Sequence, residues 1–329
     1  MTAGKTTIKS ESRSQARYSW LGFAVVRALA VIFCVTTAVF FIIRIVPGDP
    51  AKMILGEYST PEAIAKMHHT LGLDLPLWEQ FVRYLRTLFT SGDTGSSIVM
   101  GTPARTLILE RAPVTLLLIA LAVAAAVAMS LPLAALAAAK KDKLPDHLIR
   151  IIPTITLGMP VFWVGLLFIV FFSVRLGWFP VGGVGVGWSG MLYSLVLPAV
   201  TVAFSQIPSL VRSLRVQMLE VLESDFIVTL KAAGIPGRVI MFKHVARNAA
   251  LPALMLLGVN LSYLIGGTLV VEQVFDIKGI GSLLFSSISN RDFPVIQGIA
   301  LYCAVAVVLI SLLVEILSGL LDPRTKGQR

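Results

Sequence analysis

Six long runs of apolar residues divide the chain, and each is long enough to cross a lipid bilayer as a helix. They cover residues 21–46, 114–139, 151–174, 191–211, 249–271 and 295–321. About 20 apolar residues span a hydrocarbon core of about 30 Å, because a helix rises about 1.5 Å per residue. The only charged residues are Arg27 and Arg44 in the first run and Glu315 in the last. The pattern predicts an all-α integral membrane protein with six transmembrane helices, the first too long for a cleaved signal peptide.

The distribution of charge predicts how these helices are oriented. Of the 329 residues, 56% are hydrophobic and 14% are charged, and the formal net charge is +10. Segments 1–20, 140–150, 212–248 and 322–329 together hold 17 Lys and Arg against 7 Asp and Glu. The segments between them, 47–113, 175–190 and 272–294, hold 9 against 10. The positive-inside rule therefore places both termini and the basic loops in the cytoplasm, and it accounts for the charge without nucleic-acid binding.

The longest stretch outside the predicted spans, residues 47–113, is expected to lie on the extracytoplasmic side. Within it, residues 60–71 and 76–89 have apolar side chains at helical spacing, which predicts two short amphipathic helices. Gly and Ser residues at 91–97 then indicate turns. This segment is predicted to form a small cap, which either offers a docking surface or only covers the ends of the spanning helices.

Prolines and a glycine interrupt two of the predicted spans. Pro153, Gly158 and Pro160 lie in the third, and Pro198 and Pro208 lie in the fourth. Broken helices are tolerated in membranes where the freed backbone groups face protein or a water-filled cavity. These five residues are therefore candidates for shaping a solute pathway, with packing kinks in a static bundle as the alternative.

The cytoplasmic segment 212–248 has the most informative pattern of the chain. Residues 220–230 are predicted to form a helix, with Ser224 and Asp225 as an internal cap. Small residues follow at 232–234, and Pro236-Gly237 breaks the chain before a second predicted short helix over residues 238–246. Small residues at a helix break allow another surface to approach the backbone closely. The alternative is a solvated loop attracted to anionic lipid by its basic residues.

No pattern in the sequence predicts catalysis, metal binding or nucleotide binding. Gly4-Lys5-Thr6-Thr7 resembles the end of a phosphate-binding loop but lacks the first glycine and the preceding strand. An intramembrane enzyme would need a nucleophile–base pair, and none is evident. A secondary transporter is the alternative from another class. Ion-driven carriers, however, usually have ionisable residues in mid-membrane, and the centres of these spans are uncharged. The pattern favours a non-catalytic pathway that is powered by another protein.

Five short motifs, in order along the chain, resemble those of a known family. They are RIVPGDPA at 44–51, LGLDLPLWEQF at 71–81, GDTGSS at 92–97, NRDFPVIQG at 290–298 and LDPR at 321–324. With them the chain resembles the permease subunits of bacterial peptide/nickel ABC importers. The segment 225–234 with His244 and Asn248 also resembles the EAA-x3-G coupling motif of that family, although Val228 stands where the family often has Arg.

The resemblance implies a type I ABC importer transmembrane fold in the bacterial inner membrane. The implied partners are a homologous second permease, two ATP-binding subunits that hold the ATP and Mg, and an extracytoplasmic solute-binding protein; this chain itself would bind no cofactor. The implied solute is a di- or oligopeptide, with nickel chelates, opines or modified sugars as alternatives. The residues implied to dock the ATPase are Asp225, Phe226, Thr229, Lys231, Ala232, Ala233, Gly234, His244 and Asn248.

Overall fold

The computed structural model of the chain describes residues 4–45, 48–156 and 158–321. Across these residues the regular elements are helices, with one isolated β-bridge between Ser96 and Pro103. The predicted cytoplasmic tail 322–329 and Pro47 of the first motif lie outside the described residues. The described part divides into two compact units, one made of the described residues up to 105 and from 290 onward, and the other of those between 106 and 289.

The first unit contains the helices from both ends of the chain. They are α1 (Gly4–Ile45), α2 (Pro50–Leu55), α3 (Pro61–Leu71), α4 (Leu77–Ser91) and α13 (Phe293–Leu321). The two predicted amphipathic helices are confirmed as α3 and α4. Thr60 caps α3 by accepting a hydrogen bond from the Ala63 N–H at 3.2 Å, and α4 ends where Gly92 adopts a left-handed conformation.

The second unit contains the central helices of the chain. They are α5 (Ala104–Ala139, whose first two residues belong to the first unit), α6 (Leu144–Thr156), α7 (Val161–Phe168), α8 (Gly187–Leu222), α9 (Asp225–Ala232), α10 (Gly237–Val239), α11 (Ala246–Val274) and α12 (Ile280–Ser289). Two π-helical turns, Ile169–Arg175 and Ile240–Val245, continue α7 and join α10 to α11.

Among the described residues, four helical segments are apolar and long enough to cross a membrane. They are Gly22–Ile45, Ala104–Ala139, Gly187–Leu222 and Phe293–Ile316, and they coincide with the first, second, fourth and sixth predicted spans. The fifth predicted span, 249–271, lies inside α11. The third, 151–174, is divided between two helices, because α6 ends at Thr156 and α7 begins only at Val161. The break falls at Gly158 and Pro160, where proline restricts the preceding residue and cannot donate a helical hydrogen bond.

The first and last helices of the chain pack against each other in the first unit. A guanidinium nitrogen of Arg27 on α1 lies 2.6 Å from a carboxylate oxygen of Glu315 on α13. Two of the three charges in the first and last apolar runs therefore neutralise one another.

Three of the motifs that are far apart in the sequence meet in the first unit. The buried Asp292 carboxylate accepts hydrogen bonds from the Ser97 hydroxyl and, at 3.0 Å, from the Ile98 N–H. The Thr94 hydroxyl donates to the Pro294 carbonyl at 2.7 Å. Gly48 has a φ of +137°, and a Cβ there would overlap the guanidinium group of Arg291. The motifs at 92–97 and 290–298 are thus joined by hydrogen bonds at the start of α13, and Gly48 of the motif at 44–51 packs closely against Arg291 there.

A buried carboxylate, Glu272, organises one end of the second unit. Its two oxygens accept hydrogen bonds from the Thr115 hydroxyl and the Gly281 N–H, each at 2.6 Å. The Thr115 oxygen accepts in turn from the Ile280 N–H at 2.9 Å. Glu272 therefore satisfies the free N–H groups at the start of α12 and joins that helix to α5 and α11.

Candidate functional site

The short helix α9 is set off from the rest of the second unit by a turn at each end. The preceding helix α8 ends at Leu222, and Ser224 takes the extended conformation of a helix N-cap. At the other end Gly234 has a φ of +74°, and the Ile235 N–H donates to the Leu230 carbonyl at 3.2 Å. This is the arrangement in which glycine commonly ends a helix, because a left-handed residue with a Cβ is strained.

The predicted helix boundaries in this segment were wrong at two places. Residues 220–222 belong to the end of α8, so no helix runs over 220–230, and the chain turns at Glu223 and Ser224 instead. Residues 238–246 do not form a separate short helix. They begin a helical stretch that passes from α10 through the π-helical turn Ile240–Val245 into α11, because no helix-breaking residue follows Pro236-Gly237 there.

One face of α9 is anchored in the core of the unit. Ile227 is fully buried in a cluster with Ala134, Met218, Ile240 and Val245. Leu230 packs partly buried against the same cluster. The cluster joins residues from α5, α8, α9 and the π-helical turn, so the core holds α9 in a fixed orientation.

The opposite face of α9 is open. Phe226 is 44% exposed and Val228 is 59% exposed. The residues assigned from the sequence lie on this open side or at the end of the helix, and all of them are exposed: Asp225, Phe226, Thr229, Lys231, Ala232, Ala233 and Gly234. A Cβ at Gly234 would meet no atom within 4 Å. The exposed surface is therefore made of two apolar side chains beside a stretch of small residues, which suits close contact with another protein.

The other two predicted site residues lie beyond the break. His244 is part of the π-helical turn and is half-buried, and the exposed Asn248 donates a hydrogen bond from Nδ2 to the His244 carbonyl at 2.8 Å. Their neighbour Val245 is buried in the same cluster as Ile227. The structure thus joins His244 and Asn248 to each other and attaches their segment to the core that holds α9.

An ion pair that was not predicted from the sequence joins α6 to α8. Both carboxylate oxygens of the fully buried Asp146, near the start of α6, accept hydrogen bonds from the guanidinium group of Arg215 on α8, each at 2.6 Å. The Asp142 N–H donates to the same carboxylate at 3.0 Å. The Arg215 hydrogen bonds lower the pKa of Asp146 to about 2. The pair fixes α6 to the end of α8 from which α9 continues.

The five pathway candidates fall into two groups. Pro153 lies within α6, while Gly158 and Pro160 form the break between α6 and α7. Pro198 and Pro208 are buried inside α8, which continues past both of them. A broken helix is therefore confirmed for the third predicted span and not found for the fourth. Whether any of the five lines a solute pathway stays a prediction.

The anchor at Ile227 has a direct consequence for stability. Replacing Ile227 by Ala is expected to destabilise the second unit by about 2–5 kcal/mol, because it removes a buried side chain and leaves a cavity. Replacing the exposed neighbour Val228 by Ala is the matched control and should change stability by about 0.5 kcal/mol or less. Thermal unfolding of the two purified variants in detergent measures both. Equal effects would contradict the assigned orientation of α9.

The apolar helices define a multi-pass membrane protein, and its described part contains helices and no strand. Residues 130–327 match the family described as binding-protein-dependent transport system inner membrane component, and residues 20–119 match the N-terminal region of such membrane components. The chain belongs to this family of inner-membrane permeases.

Relatives of known name cover nearly the whole chain. The di/tripeptide transport system permease protein DppB of Pseudomonas aeruginosa (strain UCBPP-PA14) is 34% identical over 90% of this chain and 95% of its own length. The oligopeptide transport system permease protein AppB of Bacillus subtilis (strain 168) is 35% identical over 90% and 96%. The glutathione transport system permease protein GsiC of Escherichia coli O6:H1 is 33% identical over 92% and 98%. The family resemblance inferred from the motifs is confirmed.

Proposed function

We propose that this chain is the permease subunit of an ATP-driven importer for a peptide-like solute, most simply a di- or oligopeptide. The observation that carries the proposal is α9, which is anchored by Ile227 and presents Phe226, Val228 and the small residues 232–234 to the outside. In a chain of this family, such an element is suited to dock in a groove of a separate ATP-hydrolysing subunit. The printed names of the relatives support the peptide-like solute.

The subunit partners follow from this role. A homologous second permease would enclose the pathway together with this chain, two ATP-binding subunits would contact α9 and its counterpart, and an extracytoplasmic binding protein would deliver the solute. ATP and Mg would be bound by those ATPase subunits. This chain would make no covalent bond with the solute. No group of three or more His, Cys, Asp or Glu side chains that could hold a metal is present among the described residues.

The proposed topology has six spans with both termini in the cytoplasm. Four spans are the long apolar helices, the third consists of α7 with the segment before it, and the fifth lies in α11. The excess of Lys and Arg in segments 1–20, 140–150, 212–248 and 322–329 supports this orientation. It places α9 on the side where ATP is available.

The mechanism would be alternating access. Closure of the two ATPase subunits would move α9, and the core around Ile227 together with the Asp146–Arg215 pair would transmit that movement to α8 and α6. The break at Gly158 and Pro160 would allow α6 and α7 to change their angle. ATP binding can shift the equilibrium between the inward-open and outward-open states only through contacts that differ between them.

Uptake by a deletion strain tests the proposal. Deleting the gene is expected to abolish uptake of a radiolabelled dipeptide or oligopeptide, and a plasmid copy should restore it. Uptake should persist when a protonophore collapses the proton gradient while ATP is maintained, which separates this importer from a secondary transporter. The deletion strain could instead keep its peptide uptake and lose uptake of a nickel chelate, an opine or a modified sugar. That result would identify this other compound as the solute, and the importer class would still hold.

A further inference from the structure

The amphipathic helix α4 is fixed to the last turns of the first membrane helix. The Phe81 ring of α4 lies with its centroid 5.0 Å from that of Phe40 and 5.5 Å from that of Phe41. The Tyr84 ring lies 5.4 Å from Phe40, which is fully buried. The Arg44 Nε donates to Gln80 Oε1 at 3.0 Å. Aromatic packing and a hydrogen bond therefore hold α4 against the end of α1.

This attachment determines how far α4 is from the membrane. Phe40 and Arg44 lie within the last six residues of the apolar segment Gly22–Ile45. At about 1.5 Å per residue they are within about 8 Å of its end. A helix that packs on these residues is therefore at the depth where α1 leaves the hydrocarbon, rather than out in the water.

The side of α4 that does not pack on α1 is also apolar. Trp78 is 65% exposed, Val82 is 54% exposed and Phe89 is 82% exposed. Their spacing of four and seven residues places them in one stripe along the helix. The exposed Arg86 lies beside this stripe. A helix with Trp and Phe on one face and an arginine beside them is typical of helices that lie in the plane of a membrane interface.

We infer that α4 is an interfacial helix, whose Trp78–Val82–Phe89 stripe is buried in lipid at the membrane surface where α1 ends. Arg86 would extend toward the lipid phosphates. The attachment of α4 to Phe40 and Arg44, at the end of the apolar segment Gly22–Ile45, identifies lipid as the occupant instead of a docked protein. The inference goes beyond the transport role and holds whichever end of α1 faces the cytoplasm.

The interfacial location of α4 limits which part of segment 47–113 is open to a soluble partner. If α4 lies in the interface, the segment is not a cap that stands wholly in water. One of its helices, α4, lies in lipid against the end of α1. The Trp78–Val82–Phe89 stripe is therefore not available to a soluble partner.

Fluorescence quenching in liposomes tests this location. Val82→Cys and Phe89→Cys are made separately in the full chain with Cys34→Ser and Cys303→Ser, labelled with an environment-sensitive dye, and reconstituted with any subunits that co-purify. Thr90→Cys is the matched control, because Thr90 follows Phe89 in the same helix and points about 100° away. Lipids with a nitroxide near the top of the acyl chain should quench the labels at 82 and 89 several-fold more than iodide does. The label at 90 should show the reverse.

Two other results would overturn the inference. Quenching of all three labels mainly by iodide would place the stripe in water, and protection of 82 and 89 from both quenchers would place it under a protein.

A second measurement uses a nearly unaltered chain. Brominated lipids should quench less of the total tryptophan fluorescence in Trp78→Phe than in the parent, and an unchanged quenched fraction would count against lipid burial.

Discussion

Replacing Gly234 by Trp is expected to abolish solute uptake while the protein remains in the membrane. Gly234 is exposed at the end of α9, and no atom lies within 4 Å of the position that a Cβ would take. An indole group would therefore project into the space where a close-packed partner must lie. Uptake of labelled solute and the amount of protein in isolated membranes are the two measurements.

The left-handed backbone of Gly234 calls for two control variants. With a φ of +74°, any side chain here strains the backbone in addition to filling space. Gly234→Asn separates these effects, because Asn tolerates this conformation well and its side chain is small, so it should retain most transport. Ala233→Trp is the complement, since Ala233 has an ordinary φ of −76°. It should abolish uptake without backbone strain, and normal uptake by both Trp variants would disprove docking at this surface.

Replacing Asp146 by Ala is expected to cause the largest loss of stability, about 3–5 kcal/mol, because it leaves the Arg215 guanidinium without its partner in a mostly buried site. Thermal unfolding of the purified chain in detergent gives the measurement. The matched control is the exposed pair of Lys141 and Glu223, in which Nζ lies 3.0 Å from Oε1. Lys141→Ala should lower the stability by about 1 kcal/mol or less.

A double variant shows whether the charges themselves are needed. Asp146→Leu combined with Arg215→Met removes both charges, and it should recover much of the stability that Asp146→Ala loses. If the double variant unfolds as readily as the single one, the loss comes from disrupted packing and not from an unpaired arginine.

The pH dependence of this effect has a definite sign. The pKa of Asp146 is lowered to about 2 by the Arg215 hydrogen bonds, so the carboxylate is stabilised in its charged form in the folded chain. Its contribution is present above the pKa of the unfolded chain, about 4, and is lost only as the pH falls toward 2. The difference in melting temperature between the parent and Asp146→Ala should therefore be the same at pH 5 and pH 8.

The sequence predicted those helices whose features depend only on residues close together in the chain. The apolar lengths of α1, α5, α8 and α13 and the alternation of faces in α3 and α4 follow from the sequence, because helix period and span length depend on neighbouring residues. The small residues at 232–234 after the helix were recognised for the same reason, although the boundaries of that helix were not. The break at Gly158 and Pro160 was noticed, but apolar length alone did not indicate that it would separate two helices.

Contacts between distant residues were not predictable in this way. Asp146 and Arg215 are 69 positions apart, and each looked like an ordinary charge in a cytoplasmic loop. Glu272 was counted with the outer segment because it follows the fifth apolar run, whereas it is fully buried against Thr115 and Gly281. A single charged residue at the edge of a span does not reveal whether water or a distant hydroxyl satisfies it.

The pairing of α1 with α13 has a consequence for how the protein is made. The second unit consists of one uninterrupted stretch, 106–289, whereas the first needs residues from both ends of the chain. During synthesis the N-terminal part emerges first, but its partner helix α13 is translated last. Until then Arg27 has no Glu315 to neutralise it, and its long side chain must reach toward the membrane surface for water or lipid phosphate. The central unit can therefore assemble before α1 packs against α13.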